Sequence, residues 1–99
     1  MEEQQQERVR LPRIGEIMGL VMELLGGDKF RVNCDDSRIR ICRIPGKLRK
    51  KVWIRAGDTV LVKPWIVQSD IRGDIVWRYT GTQVLWLKKQ GHIKPNPQV

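Results

Sequence analysis

Residues 29–58 read KFRVNCDDSRIRICRIPGKLRKKVWIRAGD, and the order of patterns along this stretch decides the fold. Residues 29–34 alternate, with Phe30, Val32 and Cys34 on one face and Lys29, Arg31 and Asn33 on the other, the period of a half-buried strand. Asp35, Asp36 and Ser37 form a turn. The run 38–44 then alternates again, so that Ile39 and Ile41 are expected to face the core and Arg38 and Arg40 the solvent. That phase slips at Cys42 and Arg43, which a β-bulge re-aiming Arg43 would explain. Paired antiparallel, the two strands would present Arg31, Arg38 and Arg40 on one face. Pro45 and Gly46 break the second strand, and residues 47–54 do not alternate. Leu48 and Val52 are four apart, as are Lys47 and Lys51, so a helical turn or ordered loop would bury the first pair and expose the second.

Upstream, residues 15–25 (GEIMGLVMELL) form one apolar run closed by Gly26, Gly27 and Asp28, a hairpin signal. Downstream, Ala56, Gly57 and Asp58 turn the chain into TVLVKPWIV, where Pro64 lacks an N–H and marks an edge or a strand end. A polar connector, 68–74, leads to DIVWRY, with Ile75, Trp77 and Tyr79 on one side and Val76 and Arg78 on the other. Residues 80–90 change period: Val84, Leu87 and Lys88 share a helical face, Thr82 is a candidate cap and Gly91 a stop. Five short strands, a non-strand insertion after the third and no long crossover helix predict an all-β protein, a five-stranded Greek-key OB-fold barrel with a short C-terminal helix. An SH3-like barrel also has five short strands; the position of the insertion favours the OB-fold. The 99 residues allow one modest core. Residues 1–13, poor in large apolar side chains, are expected to be a flexible arm, 14–80 the barrel, and 81–99 the helix with a loose tail containing Pro95 and Pro97.

Charge locates the function. The chain holds 19 lysines and arginines against 11 acids, a formal net charge of +8. Eight of the cations (Arg38, Arg40, Arg43, Lys47, Arg49, Lys50, Lys51 and Arg55) lie in residues 38–55, which contain no acid, so the remaining 11 balance the 11 acids elsewhere. An excess confined to one strand and one loop is a patch, and a patch of this size implies a polyanionic partner. Lys and Arg neutralise phosphates and release counterions. OB-folds bind oligonucleotides on strands two and three and in the flanking loops, where aromatic and guanidinium planes can stack on bases. Phe30 and Trp53 are available for stacking, yet the apolar neighbours of each favour burial, and Trp65, Trp77 and Trp86 read as structural. The cations carry the interface.

Other chemistries find little support. The single histidine, His92, lies near a Pro-rich tail, the serines sit in turns, and no Gly-rich phosphate loop precedes a helix, so no enzyme activity is expected. Cys34 and Cys42, with seven residues between them, match no metal-ligand spacing and read as buried thiols. No cofactor or metal is expected. No apolar run approaches the roughly 20 residues needed to span a membrane, and MEEQQQER does not resemble a secretion signal, so a cytoplasmic protein is expected.

GKLRKKVWI, residues 46–54, resembles the signature of the translation initiation factor 1A family, found in archaea and eukaryotes and related to the bacterial factor one. Arg40, Cys42 and Ile44 fit the family's third strand, Arg31 and Cys34 its second, and Gly57-Asp58 sits where the bacterial relatives carry the same pair. The similarity runs from about residue 13 to 93. It implies an OB-fold that docks at the decoding (A) site of the small ribosomal subunit, contacts ribosomal RNA and helps initiator tRNA settle at the start codon on mRNA, alongside other initiation factors. Lys47, Arg49, Lys50, Lys51 and Arg40 would then contact RNA, with Trp53 stacking or anchoring. The wider candidate set adds Arg31, Arg38, Arg43 and Arg55. The chain lacks the long acidic C-terminal extension of eukaryotic members and carries residues 80–93 beyond the shorter bacterial ones, so an archaeal, monomeric member is expected. Two other readings remain: a general single-stranded RNA binder of cold-shock type, which would need several exposed aromatics on strands two and three, and an interaction subunit whose patch meets an acidic protein, which ribonuclease treatment would distinguish.

Overall fold

The computed structural model describes residues 9–46 and 53–93. Five strands, β1 (Ile17–Gly26), β2 (Lys29–Cys34), β3 (Ile39–Arg43), β4 (Thr59–Pro64) and β5 (Arg72–Arg78), precede one helix, α1 (Gly81–Lys89). The strands close a barrel in the order β1-β2-β3-β5-β4. All neighbours are antiparallel except β3 and β5, whose parallel pairing through Ile41, Cys42 and Arg43 completes the ring. This is the OB-fold arrangement anticipated from the sequence.

The first strand belongs to both halves of the barrel. Gly19 and Leu20 face Cys34 and Asn33 on one side and Val60 and Thr59 on the other. Such a strand must coil tightly, and Gly19 lets it: a Cβ there would lie 2.5 Å from Val32 Cγ1. Inside the barrel pack Val21, Phe30, Val32, Cys34, Cys42, Ile44, Ile54, Val60, Val62 and Ile75. A second cluster, Val9, Met18, Leu61, Tyr79 and Leu87, lies on the opposite face of β1 and β4, covered by α1 and the N-terminal segment.

Three expectations are corrected by this packing. Residues 74–79 do not keep one phase: β5 has an extra residue where Leu61 faces Trp77 but Val62 faces Ile75, so the bulge sends Ile75 into the barrel and Tyr79 into the outer cluster. The helix is capped by Thr80, not Thr82. Thr80 Oγ1 accepts from Gln83 N while Gln83 Oε1 accepts from Thr80 N, a reciprocal capping box. At the other end Gly91, at φ 81°, donates to Lys88 O and His92 to Leu87 O, a Schellman stop. Finally, the packed chain reaches back beyond Ile14. Val9 is buried, the Arg10 guanidinium makes two hydrogen bonds to the Glu16 carboxylate (2.8 and 2.9 Å) and lies over Trp77, and Tyr79 Oη donates to the Arg10 carbonyl.

Candidate nucleic-acid interface

The register of β2 against β3 decides which cations meet solvent. Lys29 faces Arg43, Phe30 faces Cys42, Arg31 faces Ile41, Val32 faces Arg40 and Asn33 faces Ile39, with no shift along the pair. Directly opposed residues share a face. Because Phe30 and Val32 are core, Cys42 and Arg40 point inward, and the outer face carries Lys29, Arg31, Asn33, Ile39, Ile41 and Arg43. The expected slip at Cys42 and Arg43 is absent, and the expected phase of Ile39 and Ile41 is reversed: Ile39 is exposed and Arg40 is 3% exposed.

Arg40 is buried because its charge is fully engaged. Its Nη1 and Nη2 reach the two Asp36 carboxylate oxygens at 3.0 and 2.8 Å, and Nε donates to the Ser69 carbonyl at 2.6 Å. This bidentate geometry holds the Asp36 carboxyl below its usual pKa, the Arg40 hydrogen bonds being the main cause, and raises that of Arg40. Arg40 therefore ties the β2–β3 turn to the β4–β5 connection and offers no free edge to a ligand, contrary to its assignment as a contact residue.

The remaining candidates face solvent. Arg31 pairs with Glu23 across the β1–β2 hairpin. Arg38 follows Ser37, which adopts φ 67°, and its side chain lies 3.9 Å from both Asp36 and Asp70. Arg43 is half exposed, with its guanidinium carbon 5.1 Å from the centre of the Trp65 ring and Nε donating to Asp74 Oδ1 at 3.1 Å. Arg55 is exposed. Its backbone N–H is capped by Asp58 Oδ2, which also accepts from Arg78 Nε. Trp53, expected to lean towards burial, is 74% exposed while Ile54 beside it enters the core. Lys47, Arg49, Lys50 and Lys51 lie outside the described residues.

Two residues absent from the candidate set join this face. Lys29 sits directly across from Arg43, a position its alternation already implied. Trp65 lies under Arg43 with its indole N–H bonded to Asp74 Oδ1 at 2.9 Å; only the parallel pairing of β3 and β5 brings these groups together, and local sequence carries no sign of it. Both thiols are buried, with that of Cys42 pushed up to about 12 by desolvation. Among the described residues no group of three or more His, Cys, Asp or Glu side chains could hold a metal ion, and no helix is long and apolar enough to cross a membrane.

A family model for translation initiation factor 1A / IF-1 matches residues 6–98. The chain belongs to this family. It is 54% identical over 91 residues to translation initiation factor 1A of Methanothermobacter thermautotrophicus, covering 92% of each chain. It is 58% identical over 86 residues to that of Pyrococcus abyssi, covering 87% of this chain and 76% of the relative. Among solved structures, bacterial translation initiation factor one from the Wolbachia endosymbiont of Brugia malayi superposes with a TM-score of 0.53 at 32% identity, over 85% of this chain and 94% of the other. Family and fold thus agree with the resemblance carried by residues 46–54, and these two curated relatives are archaeal, in line with the archaeal member expected from the sequence.

Proposed function

We propose that this protein is a translation initiation factor that seats on the small ribosomal subunit at the decoding (A) site and promotes placement of initiator tRNA at the start codon. It acts by binding alone, without a cofactor or a catalytic step, as a cytoplasmic monomer within an assembly that also holds mRNA and other initiation factors. What carries the reading is family membership over nearly the whole chain, joined to a barrel face whose cations point away from the core. Ribosomal RNA is the matching polyanion: Arg31, Arg38, Arg43 and Arg55 contact it from the barrel, Lys47, Arg49, Lys50 and Lys51 from the stretch of sequence that follows β3, and Trp53 offers a ring to a base. Arg40 supports this surface from within.

The cold-shock alternative loses its requirement. Phe30 is buried, and the outward residues of β2 and β3 include no aromatic. The test is binding of labelled protein to purified archaeal small subunits at near-physiological salt, competed with unstructured RNA, beside a Lys47→Ala, Arg49→Ala, Lys51→Ala triple variant. Saturable one-to-one binding that survives the competitor and fails in the variant is expected. Equal displacement by any RNA would reduce the protein to a general RNA binder.

A further inference from the structure

The Arg43 guanidinium is held in a way that a simple phosphate contact does not require. On one side it lies over the Trp65 ring at 5.1 Å. Its Nε is bonded to Asp74 Oδ1, and the same oxygen accepts the Trp65 indole N–H, so one carboxylate fixes both planes. Three elements build the group: β3 supplies Arg43, β5 supplies Asp74, and Trp65 follows β4 directly. A surface cation that only neutralises phosphate gains from freedom of movement and loses from a neighbouring acid. Here the acid sits against the cation, and the side chain nonetheless remains half exposed.

We infer that Arg43, backed by Trp65 and oriented by Asp74, is a stacking platform for one unpaired RNA base, rather than a phosphate contact. The inference rests on the RNA-binding reading above and assigns a role to one position within it. A guanidinium plane stacks on a base as an aromatic ring does. Trp65 backs the guanidinium on one side while half of the Arg43 side chain stays open to a ligand, and the Asp74 hydrogen bond restricts the rotational freedom that stacking would otherwise have to freeze out. Asp74 and Trp65 are positioning residues that act through Arg43. The carboxylate also disfavours an approaching phosphate, which selects a base over backbone at this spot.

The two roles predict opposite outcomes for two substitutions, read as affinity of the full chain for small ribosomal subunits across a salt series. Arg43→Lys keeps the charge and loses the plane. The platform predicts a loss of about tenfold or more, the scale of one lost stacked base, with the salt slope unchanged; a phosphate contact predicts affinity near the parent. Asp74→Ala removes a negative charge and frees the guanidinium. The platform predicts weaker binding, whereas a phosphate contact predicts tighter binding. Thermal melts accompany both, and should Asp74→Ala fail to fold, Arg43→Lys, which preserves strand and charge, decides alone. Near-parental affinity of Arg43→Lys, or tighter binding of a folded Asp74→Ala, would overturn the inference while leaving subunit binding intact. Absence of saturable binding by the parent chain would overturn the function on which it rests.

Discussion

Arg40 shows what residue-level alternation can and cannot decide. In residues 38–44 arginines and apolar residues alternate, so two phases compete. Placing Ile39 and Ile41 inward requires a bulge to bring Cys42 and Ile44 to the core as well. The other phase needs no bulge but buries a guanidinium. Burying an unpaired charge is prohibitive, and the choice of phase therefore turned on a partner the local sequence does not display as one: Asp36, read as a turn residue, with the Ser69 carbonyl 29 residues away. A positioning role makes a specific prediction. Arg40→Ala should lower stability by about 2–3 kcal/mol, less than the roughly 3–5 typical of a fully buried pair because Asp36 can rehydrate. Urea denaturation would measure it. Subunit affinity, corrected for the folded fraction, should change by less than about threefold, whereas a direct RNA contact would lose far more.

The elements were more legible than their junctions. Alternation located β2 and β3 because each buries one face, whereas β1, β4 and β5 supply both cores, and β1 and β4 read as apolar runs bounded by turn chemistry; the Gly26-Gly27 turn and the Pro45-Gly46 break mark where strands must stop. What escaped were features set by closure of the barrel. The extra residue in β5 reverses the phase between Ile75 and Tyr79 only because the strand serves two cores. Trp65 joins the basic face only because β3 and β5 run parallel. Helix α1 follows the same logic at its start. Thr82 is an exposed residue inside the first turn, and Thr80 is the residue with extended backbone and with Gln83 three positions on, the spacing of a capping box. Thr80→Ala should therefore cost about 1 kcal/mol, lowering the melting temperature by roughly 4–8 °C for a domain of this size, while Thr82→Ala should be nearly neutral. Equal effects would mean that the helix begins elsewhere. Because Leu87 belongs to the outer core, the loss is expected in the global melt rather than as local fraying.

At the scale of the whole molecule, the outer core depends on protonation at both ends of the pH range. Glu16 closes the N-terminal segment onto the barrel, and its carboxyl is held below the usual range chiefly by the Arg10 hydrogen bonds; Asp36 is depressed in the same way by Arg40. A depressed carboxyl contributes stability above its unfolded pKa and loses it as pH falls through the folded value, so the acid limb should steepen below about pH 4. Tyr79 is the converse. Burial pushes its phenol from 10 up to about 12, and Arg10 opposes this only in part. A raised pKa gives stability that is complete below the unfolded value and disappears as pH rises through the folded one, hence from about 10 to 12. Tyr79→Phe separates the contributions. At pH 7 it removes the hydrogen bond to the Arg10 carbonyl and should cost about 1 kcal/mol. Above pH 10 it has no phenol to ionise, so its urea midpoint should fall less steeply than the parent's and the two curves should converge. Parallel alkaline limbs would point to the buried thiols of Cys34 and Cys42, both pushed up by desolvation inside the barrel, and would place alkaline failure in the inner core instead of under the helix.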